Sequence, residues 1–279
     1  MAGNSRLCDI NFLNLMKLSV ILVVFILSIF NCGSKINDAN KQSIKDSITY
    51  KKTGDTILKL HLFKSGEKEK KPVIVFFHPG GWISGSPSFF YQKAQEFSLL
   101  GYNTISVQYR LANLKITTPK DCLKDAIDAL KYLDENKGKL NLDMSNLFLV
   151  GYSAGGHLAL MSQLSKDKSV PIAKKIFTIA SPVSLIEDEL LKKSTMSSIE
   201  KIEISPLHNI QNLKTKLYLF TGTNDEYIDY STISNFMKKA KQLNKNVEII
   251  TFKNAGHFLL ATKQKKIIEQ RIKQEILEK

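Results

Sequence analysis

The stretch Gly151-Tyr152-Ser153-Ala154-Gly155 constrains this chain more than any other. An apolar, strand-like run at 146–150 precedes it, and a helix-like segment at 155–164 follows. Strand, G-x-S-x-G, helix is the context of a nucleophile elbow, in which the serine occupies a strained turn and its hydroxyl is lifted above a sheet edge. Glycines on both sides relieve the crowding that such a turn creates.

The surrounding pattern supplies the sheet. Positions 57–63 alternate and predict a strand with one wet face, 72–77 and 104–107 are continuous apolar runs of the buried kind, and further strands are expected at 147–150, 175–179, 216–220 and 247–252. Helices are expected at 90–99, from Pro119 through Leu133, at 155–164, at 232–243 and at 263–278. Strands alternating with helices give an α/β class, with a mainly parallel sheet covered on both faces. The segment 185–212 breaks the rhythm and reads as a small lid-like helical excursion above the sheet. With 279 residues, 43% of them hydrophobic, one large core is the simplest organisation.

The first 32 residues stand apart. Met16-Lys17 leads into an unbroken apolar run at 18–30, too short for a comfortable permanent span, and then Asn31-Cys32-Gly33-Ser34. A basic flank followed by a short apolar stretch reads as an export signal. The cysteine at its end resembles the attachment site of a bacterial lipoprotein, with Cys32 as the lipid-bearing first residue; a signal without lipid is the alternative. On this reading 1–32 is leader, 33–50 polar linker and 51–279 the folded domain, and the protein is exported and attached to a membrane. Of the three cysteines, Cys8 would be lost with the leader and Cys122 is left alone in the mature domain. That leaves no internal disulfide and no cysteine metal site, and Cys122 is expected to pack against the core from a helix.

The formal net charge is +14. Its lysines are scattered along strand flanks and helices, and no zinc-finger spacing or base-reading helix accompanies them, which argues against a nucleic-acid partner.

A serine hydroxyl needs a base within hydrogen-bond reach, and the base needs an acid to orient it. Two strand exits offer them: Thr221-Gly222-Thr223-Asn224-Asp225 and Asn254-Ala255-Gly256-His257. The order Ser153, Asp225, His257 is that of the elbow class, and of the five histidines only His257 leaves the last strand. Asp229 competes with Asp225 for the orienting role. Attack on a carbonyl also requires N–H donors for the oxyanion. One is Ala154, the residue after the nucleophile. The others come from His78-Pro79-Gly80-Gly81-Trp82; Pro79 has no N–H, so Gly80, Gly81 or both must serve. His78 is read as a structural member of that loop and His157 as facing the core or a neighbouring loop. Trp82 either lines the pocket or locks the loop, and Tyr152 is a further candidate for pocket or loop support.

Together, HPGGW at 78–82, YRLA at 109–112, Pro119 with Asp125 downstream, GYSAGGH at 151–157, GTND at 222–225 and AGH at 255–257 resemble the α/β-hydrolases. The nearest likeness is to the esterase and lipase branch related to hormone-sensitive lipase and the bacterial carboxylesterases. Pro79 stands where that family more often has the first of three glycines. The resemblance implies the α/β-hydrolase fold, a Ser153–His257–Asp225 triad, a small-molecule ester substrate, a structural role for Arg110, and no metal or organic cofactor. The same residues would also serve an amidase or arylformamidase, or a carbohydrate acetyl or feruloyl esterase. A lipid-anchored binding protein on a dead hydrolase fold is the reading from another class, and it would require a missing catalytic member.

Overall fold

The computed structural model describes residues 46–64 and 69–278. The expected leader, Cys8, Cys32 and the linker up to residue 45 lie outside the described residues.

A single eight-stranded sheet runs in the order β1-β2-β4-β3-β5-β6-β7-β8. Its strands are β1 Asp46–Thr53, β2 Thr56–Phe63, β3 Lys71–Phe77, β4 Asn103–Val107, β5 Leu142–Tyr152, β6 Lys175–Ile179, β7 Lys216–Gly222 and β8 Val247–Phe252. β2 is antiparallel to both β1 and β4, and every pairing from β4 to β8 is parallel. β1 begins inside the stretch read as linker to residue 50: Asp46 to Thr49 pair against β2, and the register shifts between Thr49 and Lys51. The flanking helices are α1 Tyr91–Leu99, α2 Pro119–Glu135, α3 Lys137–Leu140, α4 Ala154–Leu164, α5 Ser198–Glu203, α6 Pro206–Asn209, α7 Tyr230–Gln242 and α8 Gln264–Leu277.

Side chains on a strand alternate between faces, and β3 uses both. Val73, Val75 and Phe77 join one core with residues of α2, α4 and α7, including Leu130, Leu158 and Phe236. Ile74 and Phe76 join the other with Phe97 of α1 and Ile268 and Ile272 of α8. Burial on both sides is why this strand reads as a continuous apolar run. Helix α2 starts with Pro119 and with the Thr118 N–H bonded to the Asp121 carboxylate at 2.9 Å. Its buried stripe, Cys122, Leu123, Ala126, Ala129, Leu130 and Leu133, faces the sheet. Asp125 interrupts that stripe with a fully buried carboxylate, held by Arg110 Nε at 2.8 Å and Lys51 Nζ at 2.6 Å. A buried charge survives only when paired in this way.

The excursion at 185–212 consists of short helical turns, α5 and α6 among them, between β6 and β7. Lys120 of α2 holds it through Glu200 at 3.3 Å and Glu203 at 3.1 Å. Thr195 N–H bonds to the Leu114 carbonyl at 2.9 Å.

Candidate active site

Parallel register brings the ends of β3, β5, β7 and β8 to one edge: Phe77 pairs with Gly151, and Gly222 with Phe252. Every residue of the candidate site leaves the sheet at this edge, where ligands gather in open α/β sheets.

Ser153 forms the turn between β5 and α4 with φ 52° and ψ −123°, a region that residues with a side chain rarely enter. Two hydrogen bonds hold it there, from its N–H to the Ile179 carbonyl at 2.8 Å and from the His157 N–H to its carbonyl at 3.1 Å. A Cβ on Gly151 would overlap the Gly155 carbonyl, and one on Gly155 would overlap the Phe77 and His78 carbonyls. The second constraint sets the start of α4, Ala154 included, against the exit of β3.

His257 reaches back to this serine. Its Nε2 lies 3.0 Å from Ser153 Oγ, and its Nδ1 lies 2.9 Å from Asp225 Oδ2. In the tautomer that satisfies both contacts, Nδ1–H donates to the carboxylate and Nε2 accepts from the hydroxyl. The Asp225 side chain is fully buried; its Oδ1 also accepts from the Tyr227 N–H at 2.9 Å and the Ile228 N–H at 3.0 Å. Asp229 is elsewhere, capping α7 through the Ser231 N–H at 2.8 Å. The loops carrying Asp225 and His257 are knitted by Asn224 N–H to the Ala255 carbonyl at 3.0 Å and Asn254 N–H to Thr223 Oγ1 at 2.8 Å. Glu226 adds a carboxylate oxygen 3.0 Å from the His257 N–H.

The loop after β3 carries three consecutive residues with positive φ, Gly80 at 132°, Gly81 at 60° and Trp82 at 63°. A Cβ on Gly80 would overlap the Ser84 carbonyl, so glycine is required there. The Gly80 carbonyl accepts from the Ile83 and Ser84 N–H groups at 3.1 and 3.0 Å. Among the described residues, no hydrogen bond engages the N–H of Gly80, Gly81 or Ala154. His78 is buried and structural: its Nδ1 lies 2.9 Å from the Pro79 carbonyl, and its ring stacks on Tyr109 with centroids 4.1 Å apart. Burial pushes its pKa down to about 4. Tyr109 Oη–H donates to the His78 carbonyl at 2.7 Å. Arg110 is likewise structural, with its main-chain N–H and its guanidinium both on Asp125. Trp82 is only 2% exposed and packs into the loop. Its carbonyl accepts from Ala112 N–H at 2.8 Å and its indole N–H reaches His157 Nδ1 at 3.2 Å.

Aromatic rings surround the imidazole. Tyr152 donates its hydroxyl to the His257 carbonyl at 3.0 Å, and Tyr227 meets the imidazole edge-on with centroids 5.0 Å apart. Burial, with Asp225 next in weight, raises the Tyr152 pKa. Tyr227, Glu226 and Leu190, whose Cδ2 stands 3.0 Å from where a Gly81 Cβ would sit, were not among the residues expected from the sequence. The first two follow Asp225 directly at its strand exit, a signal that could have found them. Leu190 has none, because its place depends on how the excursion lies.

Comparison with known proteins agrees with this picture. The family model BD-FAE matches residues 58–184. Carboxylesterase 20 of Arabidopsis thaliana is 25% identical over 83% of this chain and 84% of its own length. Carboxylesterase NlhH of Mycobacterium tuberculosis is 33% identical over 37% of this chain and 33% of its own length. Among solved structures, Thermogutta terrifontis esterase 2 phosphoramylated by tabun superposes with a TM-score of 0.75 at 24% identity, covering 85% of this chain and 96% of that one. The butyrate-bound form of the same esterase gives 0.71 at 23% identity, covering 84% and 93%.

Proposed function

We propose that this chain, an α/β-hydrolase-fold protein of the esterase and carboxylesterase family, is a serine carboxylic-ester hydrolase acting through an acyl-enzyme. The observation that carries the reading is the continuous line from Ser153 Oγ to His257 Nε2 at 3.0 Å and from His257 Nδ1 to Asp225 at 2.9 Å. In the first step His257 takes the hydroxyl proton as Ser153 Oγ attacks the ester carbonyl. The Gly80, Gly81 and Ala154 N–H groups receive the negative oxygen. The C–O bond to the alcohol breaks, and the protonated His257 gives its proton to the departing oxygen. In the second step water enters; His257 takes its proton, the serine ester bond breaks, and carboxylic acid leaves with Ser153 reprotonated. Asp225 keeps the imidazole in the tautomer this exchange needs.

Short acyl groups are the substrate class favoured, in keeping with the butyrate- and propionate-bound structures of the Thermogutta esterase. HPGGW, YRLA and GYSAGGH support a place in the branch related to hormone-sensitive lipase. Ser153→Ala should lower turnover of p-nitrophenyl acetate and butyrate at least about 10⁴-fold and abolish labelling by a fluorophosphonate. Activity near that of the unaltered protein would overturn the assignment. Acetylated sugars and N-formyl arylamines, run in the same panel, separate the ester reading from its deacylase and amidase relatives.

The proposal extends to location. The apolar run at 18–30 ending at Cys32 supports 1–32 as an export leader, 33–45 as a polar tether and lipid attachment at Cys32. Cys32→Ser should move the protein from the membrane fraction to the soluble one. A native protein that is already soluble, with an unmodified Cys32 by mass spectrometry, refutes the anchor and leaves the esterase reading untouched.

A further inference from the structure

His157 lies one turn after Ser153 on α4 and is completely buried. Each of its ring nitrogens has one partner, and the two partners belong to different segments. Nδ1 accepts from the Trp82 indole N–H at 3.2 Å, and Nε2–H donates to the Ile204 carbonyl at 2.7 Å. An indole nitrogen can only donate and a carbonyl can only accept. The imidazole must therefore be neutral and in a single tautomer. Burial supports that state, pushing its pKa down to about 4. The ring also receives Trp82 edge-on, with centroids 5.2 Å apart and planes at 89°.

Trp82 is the side chain through which the Gly80–Gly81 loop is held on its far side. Two adjacent glycines have no side chains of their own to lock, and glycine loses more freedom on ordering than any other residue. On the near side the loop is fixed by His78 stacked on Tyr109. On the far side Trp82 is held at φ 63°, a conformation that is strained for a bulky residue. The indole bond to His157 and the bond from Ala112 N–H to the Trp82 carbonyl oppose that strain.

We propose that His157 is a positioning residue: by holding the Trp82 indole, it keeps the Gly80 and Gly81 N–H groups aimed at the oxygen that becomes negative when Ser153 attacks. The inference rests on the esterase reading above. It differs from a purely structural role because the loss should fall on the transition state, since misplaced oxyanion donors slow the chemical step more than substrate binding.

Two substitutions divide the bridge. Asn places an oxygen near the Nδ1 position and so keeps an acceptor for Trp82; Gln places its amide N–H near Nε2 and keeps only the donor to Ile204. Trp82 is the chain's single tryptophan, so a ¹⁵N-labelled sample gives one indole N–H resonance that reports this bond without reference to activity. His157→Gln should move that resonance upfield and lower kcat about 10- to 100-fold on p-nitrophenyl acetate, with KM within about threefold. His157→Asn should keep the resonance near its original position and hold kcat within about threefold of the unaltered enzyme. If His157→Gln does not fold, Trp82→Phe removes the donor while leaving the imidazole, and the same fall in kcat is expected. A shifted resonance with unchanged kcat overturns the proposal, as does an equal fall in kcat and melting temperature for both His157 variants. Unaltered protein that neither hydrolyses the ester nor reacts with a fluorophosphonate refutes the esterase reading instead.

Discussion

Ser153 combines a strained backbone position with the hydroxyl that faces His257. At φ 52° and ψ −123° it pays for reactivity with strain, of order 1–3 kcal/mol for a residue with a side chain. Glycine would relieve that strain, although it would also gain freedom in the unfolded chain worth about 0.5–1 kcal/mol. Ser153→Gly should therefore raise stability by about 1 kcal/mol in urea denaturation while ester turnover disappears. A clear loss of stability would mean that the elbow is not under strain. At this scale much was legible. The G-x-S-x-G glycines and the two strand exits placed Ser153, Asp225 and His257, and the coordinates bring those three side chains together. The sequence already favours Asp225 over Asp229, which follows the same strand, and in the fold Asp229 caps α7 instead. Whether Trp82 lined a pocket or locked a loop was equally open, since that depended on His157 standing opposite it. Both halves of that pair are ordinary buried residues when read along the chain.

Elements divide by how strongly they are buried. β3 and β6 show up as apolar runs because both their faces are covered. α2 shows up by its period and its Pro119 start. β1 was hidden. Its sequence DSITYKKT is mostly polar, its pattern alternates between exposed and half-buried, and it pairs at the sheet edge with β2 alone. Its use is visible only in three dimensions, where Lys51 reaches the buried Asp125 and the Tyr50 hydroxyl bonds to the Gln108 carbonyl at 2.7 Å. The excursion at 185–212 was legible as an interruption and no further. Its helical turns are too short to carry an amphipathic period, so tertiary contacts to α2, α4 and the Gly81 loop decide where they lie. Those contacts are why Leu190 escaped notice.

The whole molecule carries a formal charge of +14 with histidines neutral, and its buried histidines couple stability to pH. Burial is the leading cause of lowered pKa at His61, His78, His157 and His208, with His78 and His157 reaching about 4. An unfolded histidine titrates near 6.5. Above that pH these groups are neutral in both states and their contribution to stability is fully present. As pH falls from about 6.5 toward 4, the unfolded chain takes up protons that the folded chain refuses, so stability is lost. By pH 5 the loss amounts to about 2 kcal/mol for each of His78 and His157, a large share of the roughly 5–15 kcal/mol that holds a typical domain together. His61 and His208 act in the same direction. Asp188, whose carboxyl burial raises, acts in the opposite one. Urea midpoints at pH 8, 6.5 and 5 should therefore fall steeply across the last interval. His157→Asn removes one of the two strongly shifted groups and should flatten that fall by roughly half of the part these two histidines cause. A midpoint constant from pH 7 to pH 5 would show that the buried imidazoles accept protons in place, and the neutral bridge between Trp82 and Ile204 would then have to be abandoned along with the pH dependence.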